Sequence, residues 1–144
     1  MSVIFSIFLF SFAEALNILS GIHHLMETPM FIAMNRFRVV PGYEEAFETI
    51  WRERKRHLAE MPGYLEFHML KGPKADDHTL YASHTVWATK DDFTAWTRSE
   101  QFRAAHANAG NNRGKVEYLS GPHFEGFDVI IHEDANGETR SVAA

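Results

Sequence analysis

The chain has 144 residues, no cysteine and a formal net charge of −5. That length suits one domain with a substantial core. The missing cysteines exclude disulfides, thiolate metal sites and cysteine nucleophiles, and the acidic balance offers no basic footprint for nucleic acid. Apolar residues are 45% of the chain and charged residues 23%, with an excess of histidine (9) and phenylalanine (12). Such a mixture can line an apolar pocket with an imidazole ligand; histidines scattered over the surface are the alternative.

Residues 1–30, MSVIFSIFLFSFAEALNILSGIHHLMETPM, stand apart. The apolar run from Val3 to Phe12 is shorter than the about 20 residues needed to span a bilayer. Ala13-Glu14-Ala15 has the form of a small-residue cleavage site, yet no Lys or Arg precedes Arg36, so the positive start of a signal peptide is missing. Three readings stay open: a leader or an upstream start, with Met26 or Met30 as the biological beginning; a signal or anchor; an extra packed helix. The adjacent His23-His24 lack a nearby third ligand. No stable membrane association is expected.

From Phe31 the pattern sharpens. Phe31 to Val40 is rich in β-formers and alternates with period two, which predicts a strand. Phe31, Ala33, Asn35, Phe37 and Val39 share one face; Ile32, Met34, Arg36, Arg38 and Val40 share the other. Pro41-Gly42 ends it. Tyr43 to Ala59 reads as a helix, with Phe47, Ile50, Trp51, Arg54 and Leu58 at helical spacing, stopped by Met61-Pro62-Gly63. Tyr64 to Lys71 and Thr79 to Ala88 read as strands joined by a polar hairpin loop. Thr89, with Asp92 three residues on, predicts a capped helix. Ser99 predicts a break and a second short helix, whose stripe is Phe102, Ala105, His106 and Ala109. Asn108 to Gly121 reads as a mobile loop, Phe124 to Ile131 as the last strand, and residues 132–144 as a flexible tail.

The order β-α-β-β-α-β over residues 31–131 predicts an α+β, ferredoxin-like domain: a four-stranded antiparallel sheet with helices on one face. The uncovered face, carrying Ile32, Met34 and Val40, calls for a partner, and a homodimer is expected.

Three residues in this frame are out of place for simple packing. Asn35 interrupts an apolar row, and a buried carboxamide without partners costs on the order of 1–3 kcal/mol. It either bonds a loop or helix end, or points into a ligand cavity beside the small Ala33. His106 lies among Ala104, Ala105, Ala107 and Ala109, too small to fill the space around it. A satisfied core histidine is one reading; a ligand beside a flat guest is the other. Trp96 precedes it by ten positions, about 80° away on an unbroken helix, and the break at Ser99 can bring both to one cleft. Core filling is the alternative for Trp96, and Trp87 reads as core or interface. His57, His68, His78, His84, His123 and His132 share no spacing. Paired carboxylates, a Gly-rich phosphate loop and a nucleophile elbow are absent, so hydrolysis and phosphoryl transfer have no visible machinery.

The run 85-TVWATKDDFTAWTRSEQFRAAH-106, ending in Phe-x-x-Ala-His, and the Asn-Arg pair in 34-MNRFRV-39 resemble the antibiotic-biosynthesis-monooxygenase (ABM) fold group, and within it the IsdG-type haem-degrading monooxygenases. The HmuQ-type haem-uptake oxygenases are one branch of that likeness. It covers about Phe31 to Ile131; Met34 stands where some relatives carry an acidic residue. The resemblance implies a dimeric α+β barrel in the cytoplasm, with haem as both cofactor and substrate. It implies O₂, electrons from an external donor such as a reductase, and a bilin-type product with free iron. His106 would be the axial iron ligand as neutral imidazole. Asn35 would donate a hydrogen bond over the other haem face, and Trp96 would press the porphyrin out of plane. Two rivals share the fold: a haem-binding or haem-transfer protein without turnover, and a cofactor-free monooxygenase acting on an aromatic polyketide.

Overall fold

The computed structural model describes residues 30–107 and 114–142. The leader, anchor and packed-helix readings of residues 1–29, together with His23-His24, fall outside them. Strand β1 (Phe31–Val39) is central because its alternation lets one row bury while Arg36 and Arg38 stay in water. It pairs antiparallel with β3 (Thr79–Trp87) on one side and β4 (His123–Asp128) on the other. Strand β2 (Tyr64–Lys74) lies outside β3, giving the order β2-β3-β1-β4. This is the ferredoxin-like sheet expected from the sequence. β2 runs three residues beyond its expected end, because a register shift between Lys71 and Lys74 absorbs Gly72-Pro73; a bulge is where a strand tolerates proline.

Helix α1 (Glu44–Glu53) is pinned to the sheet by polar contacts as well as by Phe47. Thr79 donates to Glu44 at 2.9 Å and the Tyr81 hydroxyl to Glu48 at 2.7 Å. The helix was expected to reach Ala59, and it stops at Glu53. Arg54 is already extended, Arg56 Nη1 takes the Trp51 carbonyl at 2.7 Å, and His57 turns left-handed. A side chain thus satisfies a terminal carbonyl that another helical turn would have used. Leu58 still buries, but from a short 3₁₀ turn, Leu58–Glu60.

Helices α2 (Lys90–Arg98) and α3 (Glu100–His106) meet at Ser99. The Thr89 hydroxyl accepts from the Asp92 amide at 3.0 Å and donates to its carboxylate, opening α2. Ser99 Oγ donates to the Trp96 carbonyl at 2.7 Å and accepts from the Phe102 amide at 3.0 Å. One hydroxyl therefore closes α2 and starts α3.

Gly63 fits this corner for a steric reason. Its φ is +76°, its carbonyl accepts from Ala88, and a Cβ there would run into the Asp92 carboxylate. Gly63→Ala is expected to destabilise the domain by about 1–3 kcal/mol. A lowered urea midpoint at unchanged slope would register that loss.

Two segments are more ordered than their composition suggested. Within the expected mobile loop, Val116 is buried, Tyr118 bridges Val39, and Leu119 donates to the Arg38 carbonyl at 2.9 Å. The buried Val116 side chain and these backbone contacts fasten 116–119 along the end of β1; residues 108–113 are outside the described part. The expected tail contains a hairpin of β5 (Ile131–Glu133) and β6 (Thr139–Ser141). Its turn is held by the Asp134 carboxylate, which accepts from the Asn136 and Glu138 amides.

The core forms two clusters. One gathers Phe31, Ala33, Leu58, Trp87, Trp96 and Ala105; the other gathers Phe37, Val39, Phe47, Tyr81 and Val116. On β1 the boundary between them is Asn35.

Candidate functional site

The gap between the two clusters is a cleft of about 610 Å³, open on one side, within the range of small-molecule and cofactor sites. Its floor is β1 and β3, where Asn35 lies beside Ser83 and Ala33 beside Thr85. Trp51 and Phe67 stack near one wall, 6.1 Å apart and 15° from parallel. Phe93 and Phe124 stack near another, 5.6 Å apart and 5° from parallel. Flat walls of this kind suit a flat aromatic guest.

Asn35, Trp96 and His106 all line this one cleft. Asn35 is half-buried, with Phe124 and Ser83 as its cross-strand neighbours. Trp96 is only 7% exposed and serves the core as well: its ring meets Phe102 edge-on at 5.4 Å and lies 6.2 Å from Trp87. Trp87 is fully buried, so the core alternative holds for it in this chain.

His106 stands at the rim, exposed along one edge, and not on an inner stripe as the helical spacing predicted. Ala105 takes the inward position, and Ala109 lies outside the described residues. The reason is local. The last residue of α3 folds its ring back onto Phe102, with centroids 4.0 Å apart, and Nδ1 donates to the Phe102 carbonyl at 2.7 Å. A carbonyl oxygen only accepts, so the proton sits on Nδ1 and the Nε2 lone pair is left free. Burial of the ring flank pushes the His106 pKa below its ordinary value; the nearby Arg54 charge acts in the same direction, and the Phe102 bond opposes it. A neutral imidazole with a fixed tautomer and a free Nε2 is the form that binds a metal.

Sequence reading did not single out Arg54 as part of the site. Its Nε and Nη2 both donate to the Ala105 carbonyl, at 3.1 and 2.9 Å, and its guanidinium covers the Trp51 ring at 4.7 Å. The break at the end of α1 turns this side chain inward, and it ties the first helix to the end of α3 that carries His106. Burial lowers its pKa, though a guanidinium stays charged. Arg56 covers Phe67 at 4.7 Å and also lines the cleft. The site is therefore aromatic, supplied with two cations, and fitted with one free imidazole nitrogen and one carboxamide. Tyr118, also missed because it sits in a polar stretch, adds a phenol to the lining beside the hydroxyls of Ser83, Thr85 and Thr97; burial raises its pKa. Among the described residues no group of three metal-ligating side chains occurs.

Residues 30–108 match the family model described as antibiotic biosynthesis monooxygenase. A protein of Shouchella clausii named heme-degrading monooxygenase is 35% identical over 103 residues, spanning 71% of this chain and 92% of that one. A Bacillus thuringiensis protein of the same name is 33% identical over the same shares. Among solved structures, a mutant of MhuD with two manganese protoporphyrin IX bound per active site superposes with a TM-score of 0.58 at 23% identity. That match covers 73% of this chain and 99% of MhuD. A Bacillus cereus structure named for antibiotic biosynthesis monooxygenase gives 0.59 at 14% identity, covering 74% and 99%. Those structural likenesses bear on the fold.

Proposed function

Because the chain belongs to the antibiotic biosynthesis monooxygenase family, we propose that it is an IsdG-type haem-degrading monooxygenase with haem as its substrate in the cleft. The observation that carries this reading is the His106 imidazole, its Nδ1 proton tied to Phe102 and its Nε2 free at the mouth of an aromatic cleft. The residues present fit the guest. A porphyrin is flat and apolar, with carboxylates at one edge. Stacked Phe93 and Phe124 suit its faces, and the Arg54 and Arg56 guanidiniums suit its carboxylates.

The bound iron porphyrin supplies the redox chemistry, with O₂ and electrons from an external reductase, and the ring opens to a bilin-type product with release of iron. The chain's own residues do the rest. His106 Nε2 would hold the iron. Asn35 offers a carboxamide N–H from the sheet floor, in surroundings where a donor counts for more than in water. Trp96, wedged between Phe102 and Trp87, is held firmly enough to press on the macrocycle. Phe67 and Trp51 exclude water.

The same reading takes the enzyme as a cytoplasmic homodimer. The open sheet face, with the half-buried Ile32 and Met34 in its middle and the half-exposed Phe127 and Leu70 on its outer strands, supports the second copy. No helix among the described residues is long and apolar enough to cross a membrane.

The test is to add hemin to purified protein, record the Soret band, then add ascorbate or a reductase in air. A sharp Soret band that decays to a bilin spectrum with iron release is the expected result. A stable band would favour the haem-transfer reading, and no band at all the cofactor-free one.

A further inference from the structure

Strand β3 turns the alternate side chains Thr79, Tyr81, Ser83, Thr85 and Trp87 toward the helices. The first four carry hydroxyls, and three of those are committed within the protein. Thr79 donates to Glu44 at 2.9 Å, Tyr81 to Glu48 at 2.7 Å and Thr85 to the Ala33 carbonyl at 3.2 Å. The Ser83 hydroxyl has no hydrogen-bond partner among the described residues, although Ser83 is only 7% exposed and lines the cleft. A hydroxyl so far removed from bulk water is costly to leave unpaired.

Ser83 is the direct cross-strand partner of Asn35 on β1 and of Met69 on β2, and Phe124 lies beyond Asn35 on β4. The row across the cleft floor therefore reads Met69, Ser83, Asn35, Phe124, with two polar side chains between two apolar ones. Cβ atoms of cross-strand partners lie about 4.5–5.5 Å apart, so one small ligand above the floor can meet both polar groups. Water can satisfy Ser83 while the cleft is open. A flat guest that expels this water leaves the hydroxyl to the small ligand that the guest carries.

We propose that Ser83 is a second hydrogen-bond donor of the site, paired with Asn35 and aimed at the small ligand that haem iron takes on its floor side. This rests on the haem reading and adds a residue to it. The hydroxyl has one proton to donate and lone pairs left to accept from one N–H of the Asn35 carboxamide, whose other N–H stays with the ligand. Ser83 thus orients the carboxamide and contributes a donor of its own. No bond to Ser83 is made or broken.

The experiment uses the full chain loaded with hemin. Fluoride, an anion that accepts hydrogen bonds, is titrated into the ferric complex, and the C–O stretch is recorded for the ferrous carbon monoxide complex. Ser83→Ala is expected to weaken fluoride binding about 10-fold. It should also raise the C–O stretching frequency, because a donor near the oxygen draws electron density into the carbonyl. Ser83→Thr keeps the hydroxyl and should bind fluoride within about 3-fold of the parent. The haem-free melting temperature of Ser83→Ala should equal or exceed the parent's, since no protein partner is lost. A lower one would show the hydroxyl engaged within the fold and overturn the proposal. So would parent-like fluoride affinity and C–O stretch in Ser83→Ala, or a Ser83→Thr that behaves as Ser83→Ala does. A parent without a Soret band takes down the haem reading and this proposal together, whereas a normal parent band with unmoved variant signals removes Ser83 alone.

Discussion

His106→Ala is expected to lower haem affinity by about 100-fold or more while leaving the fold intact. Loss of a group that merely orients a metal ligand already costs about 10–100-fold, and here the ligand itself goes. The fold should tolerate it because His106 is the final residue of α3 and stands at the rim; substitutions at such positions usually fall within about 0.5 kcal/mol. Hemin titration of the variant should give a weak, broad Soret band in place of the sharp one. An unchanged band would remove His106 from the iron.

The pH dependence of binding carries a second signature of the same imidazole. Only the neutral ring binds iron. Burial lowers the His106 pKa from the ordinary value of 6.5, the direction that protects the neutral form. Haem affinity should therefore decline at a lower pH than an unperturbed imidazole would give, as the folded-state pKa is crossed. The group's own contribution to folding follows the same sign, present above the unfolded pKa and lost as pH falls through the folded one. An affinity that already halves between pH 8 and 7 would point to a different titrating group.

Much of the architecture was legible because each signal has a local cause. Alternation in 31-FIAMNRFRVV-40 placed Asn35 on the helix side, and Thr89 and Ser99 marked two helix starts through hydroxyls that do accept the amides expected of them. What escaped depends on contacts far apart in sequence. Nothing local in Arg54 says that it reaches Ala105, 51 residues on, so the helix seemed free to continue to Ala59. Val116 and Tyr118 were hidden in a polar stretch, because two apolar side chains give no period to read. His106 lines the cleft from its rim and not from the inner stripe that helical spacing predicted, because that spacing assumes another turn and α3 ends there. The resemblance to haem-degrading enzymes pointed to Asn35, Trp96 and His106, while the cationic side of the cleft became visible only through the geometry.

Asn35→Ala is expected to bind haem within a few-fold of the parent and to degrade it about 10²–10³ times more slowly. Binding should survive because His106, the two guanidiniums and the stacked aromatic walls are untouched. Turnover should not, because removing one aimed donor from a low-dielectric site costs about that factor in rate. The carboxamide occupies the one break in an otherwise apolar row of β1, between the two core clusters. An alanine there would pack against the floor at no greater cost than Ala33 two residues earlier, so a melting temperature at or above the parent's is expected. That combination separates a chemical role from a structural one: a packing residue would lose stability and spare the rate, whereas a donor loses rate and spares stability. Bilin formation by Asn35→Ala at the parent's rate, measured at saturating haem and reductant, would leave the asparagine as a polar strand residue with no part in the reaction.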